Sequence, residues 1–278
     1  MGENEILLGK AGSLKGKILD GTTIKLLAAF LMVLDHIHQM FAYRGAPMWL
    51  TMAGRVVFPL FLFAAAESFH YTRDRKKYLL RLLLASWFMT ISSFFIQWLL
   101  PNDHVVLMNN AFSTFFVTAV YMLSWDWLKE GVREKRLRLI LKAVLAAVIP
   151  VVFAIPMLFV GMLSANENMA FSTIRALATL SLLLPNILTI EGGVLLVALG
   201  VVFYIFRQHR WIQIGALVLL SGFVFYRDPA DIQWMMVFAA VPMALYNGSK
   251  GKGLKHFFYI FYPAHIYLLY ILSSVTAG

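Results

Sequence analysis

The chain contains no cysteine, which excludes disulfides, thiolate metal sites and any thiol of its own that could carry an acyl group. Charge is nearly as scarce. Only 14% of the 278 residues are Asp, Glu, Lys or Arg, against 60% hydrophobic, and the mean hydropathy of +0.75 lies far from the balance of a soluble domain. Acidic residues are the rarer sign, 14 against 24 basic, for a formal net charge of +10. The Lys and Arg residues sit in short connectors beside apolar runs, where topology and anionic lipid account for them, so no nucleic-acid partner is expected. The apolar runs also lack alternation, which argues against a barrel. Residues 1 to 20 lack an apolar signal core, so the first span is expected to be retained.

What is present is a succession of apolar runs near the length that crosses a bilayer. They read as Ile24–Phe41, Met48–Phe69, Tyr78–Leu100, Leu107–Leu128, Leu139–Leu163, Glu191–Phe206, Trp211–Tyr226, Gln233–Tyr246 and Phe257–Val275. A tight turn at Tyr43–Pro47 makes the first two a hairpin, and Pro150 and Pro156 predict kinks in the fifth. The basic clusters Lys10/Lys15/Lys17, Arg73–Lys77 and Lys129–Arg138 are separated by pairs of spans, which places all three, and the N-terminus, in the cytoplasm. The same rule puts Arg207–Arg210 and Lys250–Lys255 inside, so Phe171–Ile190 reads as a re-entrant or surface helix broken at Pro185-Asn186, with a true span as the other option. The expected fold is an all-α polytopic bundle of about nine or ten transmembrane helices in the cytoplasmic membrane. Residues 1–22 form a cytoplasmic segment and 23–278 a single transmembrane domain.

Ionisable groups at membrane depth are costly unless paired or facing a wet cavity, and so mark a functional site. Asp35, His36 and His38 interrupt the first run, and Arg55 the second. Lys25 and His36 are eleven residues apart, close to three whole turns, so one helix face joins the membrane surface to its middle over about 16 Å. An Asp35–Arg55 ion pair across the hairpin is geometrically reasonable and would hold His36 in one orientation. His38 points about 200° away and reads as packing. Zinc is not expected, because the i, i+4 histidine pairing is absent and no carboxylate set completes a site. Glu67, His70 and the basic group Arg73, Arg75, Lys76, Lys77 and Arg81 sit at the opposite end of the second run, where topology and a phosphate-binding lip are both open readings. Asn109, Asn110 and Ser113 read as helix glue or pore lining. Tyr262-Pro263-Ala264-His265 places another histidine within the last span, open between site and packing roles.

These stretches resemble a known family. Met32-Val33-Leu34-Asp35-His36-Ile37, Gly54-Arg55 through Leu62-Phe63, Glu67, Thr72-Arg73, Tyr78 to Leu82, Leu245-Tyr246-Asn247-Gly248 and Phe258 to His265 are similar to TraX proteins. The match is dense over 24–82 and 234–268 and departs mildly at Ser68, where the family commonly has Gly. TraX is the conjugative F-pilin N-terminal acetylase, so the resemblance implies an integral-membrane acyltransferase using acyl-CoA. The spacing from Lys25 to His36 also looks like the first-helix pair of acyltransferase-3 enzymes. Val57-Phe58-Pro59 is similar to the heparan-glucosaminide acetyltransferase group.

What this implies is a site in which Arg73, Arg75, Lys76, Lys77 and Arg81, with Lys25, Glu67 and Asn247, hold acetyl-CoA or another acyl-CoA. His36 then acts as base or acyl carrier, Asp35 and Arg55 orient it, and His265 or Tyr262 bonds substrate or oxyanion. The acceptor would be a protein N-terminus, a glycan or a lipid. A proton-coupled transporter is the reading from another class, since Asp, His and Glu within spans also build proton relays. It is set against by the lack of a detectable inverted repeat and by the concentration of polar groups on two helices. A structural scaffold is the third.

Overall fold

A computed structural model describes residues 18–164 and 170–277, and the cluster Lys10/Lys15/Lys17 lies outside them. Helix α1, Gly21–Phe41, starts where Asp20 caps it: the carboxylate accepts from the Thr23 amide at 2.7 Å and the Thr23 hydroxyl at 2.8 Å. Those bonds hold the Asp20 carboxyl below the usual carboxylate range. A 3₁₀ turn at Ala42–Arg44 and Gly45, at φ 85°, reverse the chain. The second run is two helices, α2 Trp49–Gly54 and α3 Val57–His70. Pro59 has no amide hydrogen to offer the Arg55 carbonyl, so the ladder breaks at Arg55-Val56.

Helices α4 Arg75–Leu99 and α5 Ala111–Arg133 follow, capped by Asp74 and Asn110. Asn110 also donates to the Ser86 carbonyl, Ser86 Oγ and Thr90 Oγ1, all at 3.1 Å, tying α5 to α4. The faces of α4 are those of a membrane helix. Leu84, Phe88, Ile91, Phe95 and Trp98 form an exposed stripe, while Ser86, Met89, Thr90 and Ser93 are buried. Bulky apolar groups outside and small polar groups inside suit lipid and not water.

The fifth run is also divided, into α6 Leu137–Val152 and α7 Ile155–Ser164, so the kinks expected at Pro150 and Pro156 become a break at Phe153-Ala154. Helix α8, Phe171–Leu182, covers about 18 Å by helical rise, less than a ~30 Å hydrocarbon core, and ends before Pro185-Asn186. The chain then turns on buried Asn186, whose side chain donates to the Leu184 carbonyl and accepts from the Leu188 and Thr189 amides. Thus satisfied, irregular backbone is tolerated inside the protein. Helices α9 Gly193–Ile205 and α10 Arg210–Arg227, a 3₁₀ helix at Ile232–Ala239, α11 Ala240–Ala244 and α12 Lys255–Ala277 complete the chain.

Among the described residues, five helical segments are long and apolar enough to cross a membrane, Gly21–Arg44, Trp49–His70, Arg75–Leu99, Leu137–Ser164 and Phe257–Ala277, with the shorter apolar helices Gly193–Ile205 and Ile232–Ala244 between the last two. This is an all-α polytopic membrane protein. Helix α3 lies at its centre, against α1 on one side and α9 on the other, and α12 closes the bundle against α1 and α4. Phe63, Phe69, Phe203, Tyr204 and Tyr270 are among its fully buried side chains.

Candidate functional site

A cavity of about 520 Å³ runs along α1. From α1 its wall takes Gly21, Thr22, Ile24, Lys25, Met32, Asp35 and His36, a length of about 22 Å by helical rise. Helix α3 supplies the facing wall through Val57, Phe58, Phe61, Ala64, Glu67 and Ser68.

At its inner end the polar groups of the hairpin meet. Arg55 Nη2 lies 2.8 Å from Asp35 Oδ1, the contact expected from the sequence. Thr51 Oγ1 donates to the same carboxylate oxygen at 2.6 Å, and Arg55 donates in addition to the Thr51 hydroxyl, the Thr51 carbonyl and Gln233 Oε1. Asp35 Oδ1 thus takes two donors and the guanidinium four acceptors, in a pair that stays about a quarter exposed. Gly54 makes it possible, because a Cβ there would fall within the Asp35 side chain. Gly54→Ala is therefore expected to cost about 2–3 kcal/mol by overpacking, read as a lower melting temperature of the purified protein. Unchanged melting would show that Asp35 has room to move.

His36 is 4% exposed and its orientation is set elsewhere. The Phe261 carbonyl can only accept, and it lies 2.7 Å from His265 Nδ1, so that nitrogen carries the proton and Nε2 of the neutral ring does not. His265 Nε2 is 2.7 Å from His36 Nδ1, which must then be the donor. His36 Nε2 keeps its lone pair. Among the described residues its one hydrogen-bond neighbour is the Asn109 amide nitrogen, at 3.4 Å. The bonds all run one way, from a base at His36 to a backbone carbonyl at Phe261. Orientation of His36 thus falls to His265 and Asn109, and no described hydrogen bond joins it to Asp35 or Arg55.

Tyr262 lines the cavity and is committed to protein partners. Its hydroxyl accepts from the Ala111 amide at 3.0 Å and donates to Glu191 Oε2 at 3.4 Å. Glu191 lines the same cavity, and among the described residues no basic group forms an ion pair with it. Sequence reading passed over Glu191 as the start of a span, although an acid between two apolar runs was a usable signal.

The other end of the cavity is basic. Lys25, Arg81 and Lys250 line it, with Glu67, Ser68, Tyr78 and Tyr246. Lys25 donates to Ser68 Oγ at 3.1 Å, and Arg81 Nε is buried with no protein partner among the described residues. The connector is largely elsewhere. Arg73, Lys76 and Lys77 are exposed and off the cavity wall, Lys77 pairs with Asp74 at 3.3 Å, and Arg75 is turned away into an ion pair with Asp126. Asn247 shapes the mouth from behind: its side chain accepts from the Ser249 amide and hydroxyl, and its backbone amide bonds the Leu19 carbonyl. That holds the loop from which Lys250 enters, itself tied to Thr22. Among the described residues no three His, Asp or Glu side chains converge as metal ligands.

The chain is 27% identical over 253 residues, 88% of its own length and 92% of the other's, to "Probable fimbrial assembly protein FimC, serogroup H1" of Dichelobacter nodosus. No solved structure matches. The family model described as TraX protein matches residues 20–273, nearly the whole chain, and the chain belongs to the TraX family.

Proposed function

We propose that the protein is an acyl-CoA-dependent acyltransferase, with the cavity as its donor channel and His36 as its base. The observation that carries this reading is one continuous cavity with a basic mouth and, about 22 Å along α1, a histidine whose bonds leave one nitrogen unprotonated. Lys25, Arg81 and Lys250 suit phosphate oxygens, and the apolar wall between suits an extended arm ending in a thioester. This puts the mouth in the cytoplasm, where acyl-CoA is found.

In the transfer, an acceptor amine or hydroxyl attacks the thioester carbonyl while His36 Nε2 takes its proton. The carbon–sulfur bond then breaks, and the proton passes from the imidazolium to the departing thiolate. His265 accepts the Nδ1 hydrogen bond throughout, which steadies the cationic ring. The half-buried Asp35–Arg55 pair ties α1 to the end of α2 and places a guanidinium at the reacting end. The fimbrial assembly relative supports a pilus subunit as the acceptor.

Acetyl-CoA is expected to raise the melting temperature of the detergent-purified protein, with slow hydrolysis of the thioester. Arg81→Ala is expected to weaken that binding about tenfold, the loss of roughly 1.4 kcal/mol of charge-assisted contact, without lowering intrinsic stability. A folded protein that acetyl-CoA neither stabilises nor occupies would overturn the reading and favour transport.

A further inference from the structure

Along α1 the cavity wall ends at His36. It includes neither Asn109 nor Gln39, which lie beyond the ring towards the far end of α1. There the two side-chain amides form a reciprocal pair: Gln39 Nε2 donates to Asn109 Oδ1 at 3.1 Å and Asn109 Nδ2 to Gln39 Oε1 at 3.0 Å. Gln39 is exposed, whereas His36 beneath it is buried. The Asn109 amide that covers His36 Nε2 does so over 3.4 Å, at the edge of hydrogen-bond range. A neutral amide pair at an exposed surface is weakly held, since each such bond contributes only about 0.5–1.5 kcal/mol net. It stands between solvent at the Gln39 end and the one ring nitrogen free to accept a proton.

We propose that the Gln39–Asn109 pair is a latch, and that the acyl acceptor reaches His36 Nε2 through it, from the end of α1 opposite the donor mouth. The two substrates then meet at the His36 ring without sharing an entrance. In the latched state Asn109 is also a positioning residue: one of its amide hydrogens goes to Gln39 and the other faces Nε2, so the tautomer with its proton on Nδ1 is the one accommodated, and the base is kept ready. Opening the latch exposes that lone pair to an incoming amine or hydroxyl. This rests on the acyltransferase reading only for the identity of what enters; the latch itself is testable without any turnover.

The absence of native cysteine makes the test clean. His36→Cys protein is sealed into vesicles, and a small charged methanethiosulfonate is applied to one side at a time. The rate of thiol modification is compared with that of His36→Cys carrying Gln39→Ala and Asn109→Ala. The latch predicts that the two alanines speed modification from the Gln39 side at least tenfold and leave the rate from the Lys25 side unchanged. An unchanged rate from the Gln39 side, or an equal rise from both, overturns it.

If His36→Cys does not fold, Gln39→Cys alone serves. Coupling a bulky thiol reagent there is expected to leave acetyl-CoA binding intact and to lower acetyl transfer to a glycinamide probe at least fivefold. Undiminished transfer would overturn the latch while leaving the acyltransferase reading in place. Loss of acetyl-CoA binding in the unmodified protein would sink that reading instead.

Discussion

Arg55→Met is expected to destabilise the protein by about 3 kcal/mol, whereas Arg55→Met combined with Asp35→Asn should recover most of that loss. The single change leaves the Asp35 carboxylate with one hydrogen bond from Thr51 and no positive charge beside it. The cost is placed at the lower end of the range for breaking a buried pair because 27% of the Arg55 side chain and 22% of that of Asp35 remain exposed. The double change removes the charge that needed compensating, and the asparagine amide still offers an oxygen to Thr51. The pair would thus be worth little net, although breaking it is expensive, and the double-mutant cycle separates these two statements. Reversible denaturant or thermal unfolding in detergent is the measurement. A double variant as unstable as the single one would mean that Arg55 holds the fold through Gln233 and the Thr51 carbonyl rather than through Asp35.

The hairpin was legible because its signal is local. Polar residues that interrupt two adjacent apolar runs, joined by a Gly-Pro turn, have few places to go except towards each other, and Asp35 meets Arg55 as the spacing requires. His36 stood out for the same reason. What could not be read were partnerships set by tertiary packing across most of the chain. His265 lies 229 positions from His36, and nothing in either helix says that the two rings touch. The basic connector misled in a related way: a run of Arg and Lys reads as one surface, but Arg75 is drawn inward by Asp126 on α5, leaving Arg81, one turn and a half further along α4, at the cavity. The proline positions told where helices weaken but not by how much. At Arg55-Val56 the break re-aims the arginine, and at Phe153-Ala154 it divides a run that would have sufficed for one straight span.

His36→Ala is expected to lower kcat for acetyl transfer about a thousandfold, within the range for loss of a general base, or roughly 4 kcal/mol of barrier. The KM for acetyl-CoA should change little, since the donor's charged groups are held at the Lys25 end of the cavity. His265 offers a finer test of the same assignment. His265→Leu removes the acceptor for His36 Nδ1, so the proton is no longer confined to that nitrogen and the imidazolium formed in the reaction loses its hydrogen-bond partner; a fall in kcat of about tenfold is expected, with the same KM. His265→Gln restores an acceptor oxygen near that nitrogen and should recover part of the loss, which a merely space-filling role would not produce. The order His36→Ala far below His265→Leu, and His265→Leu below His265→Gln, is what a base positioned by its neighbour requires. If His36→Ala retained transfer, the proton acceptor would have to be sought at Glu191, a carboxylate in the same cavity that meets Tyr262 and forms no ion pair among the described residues.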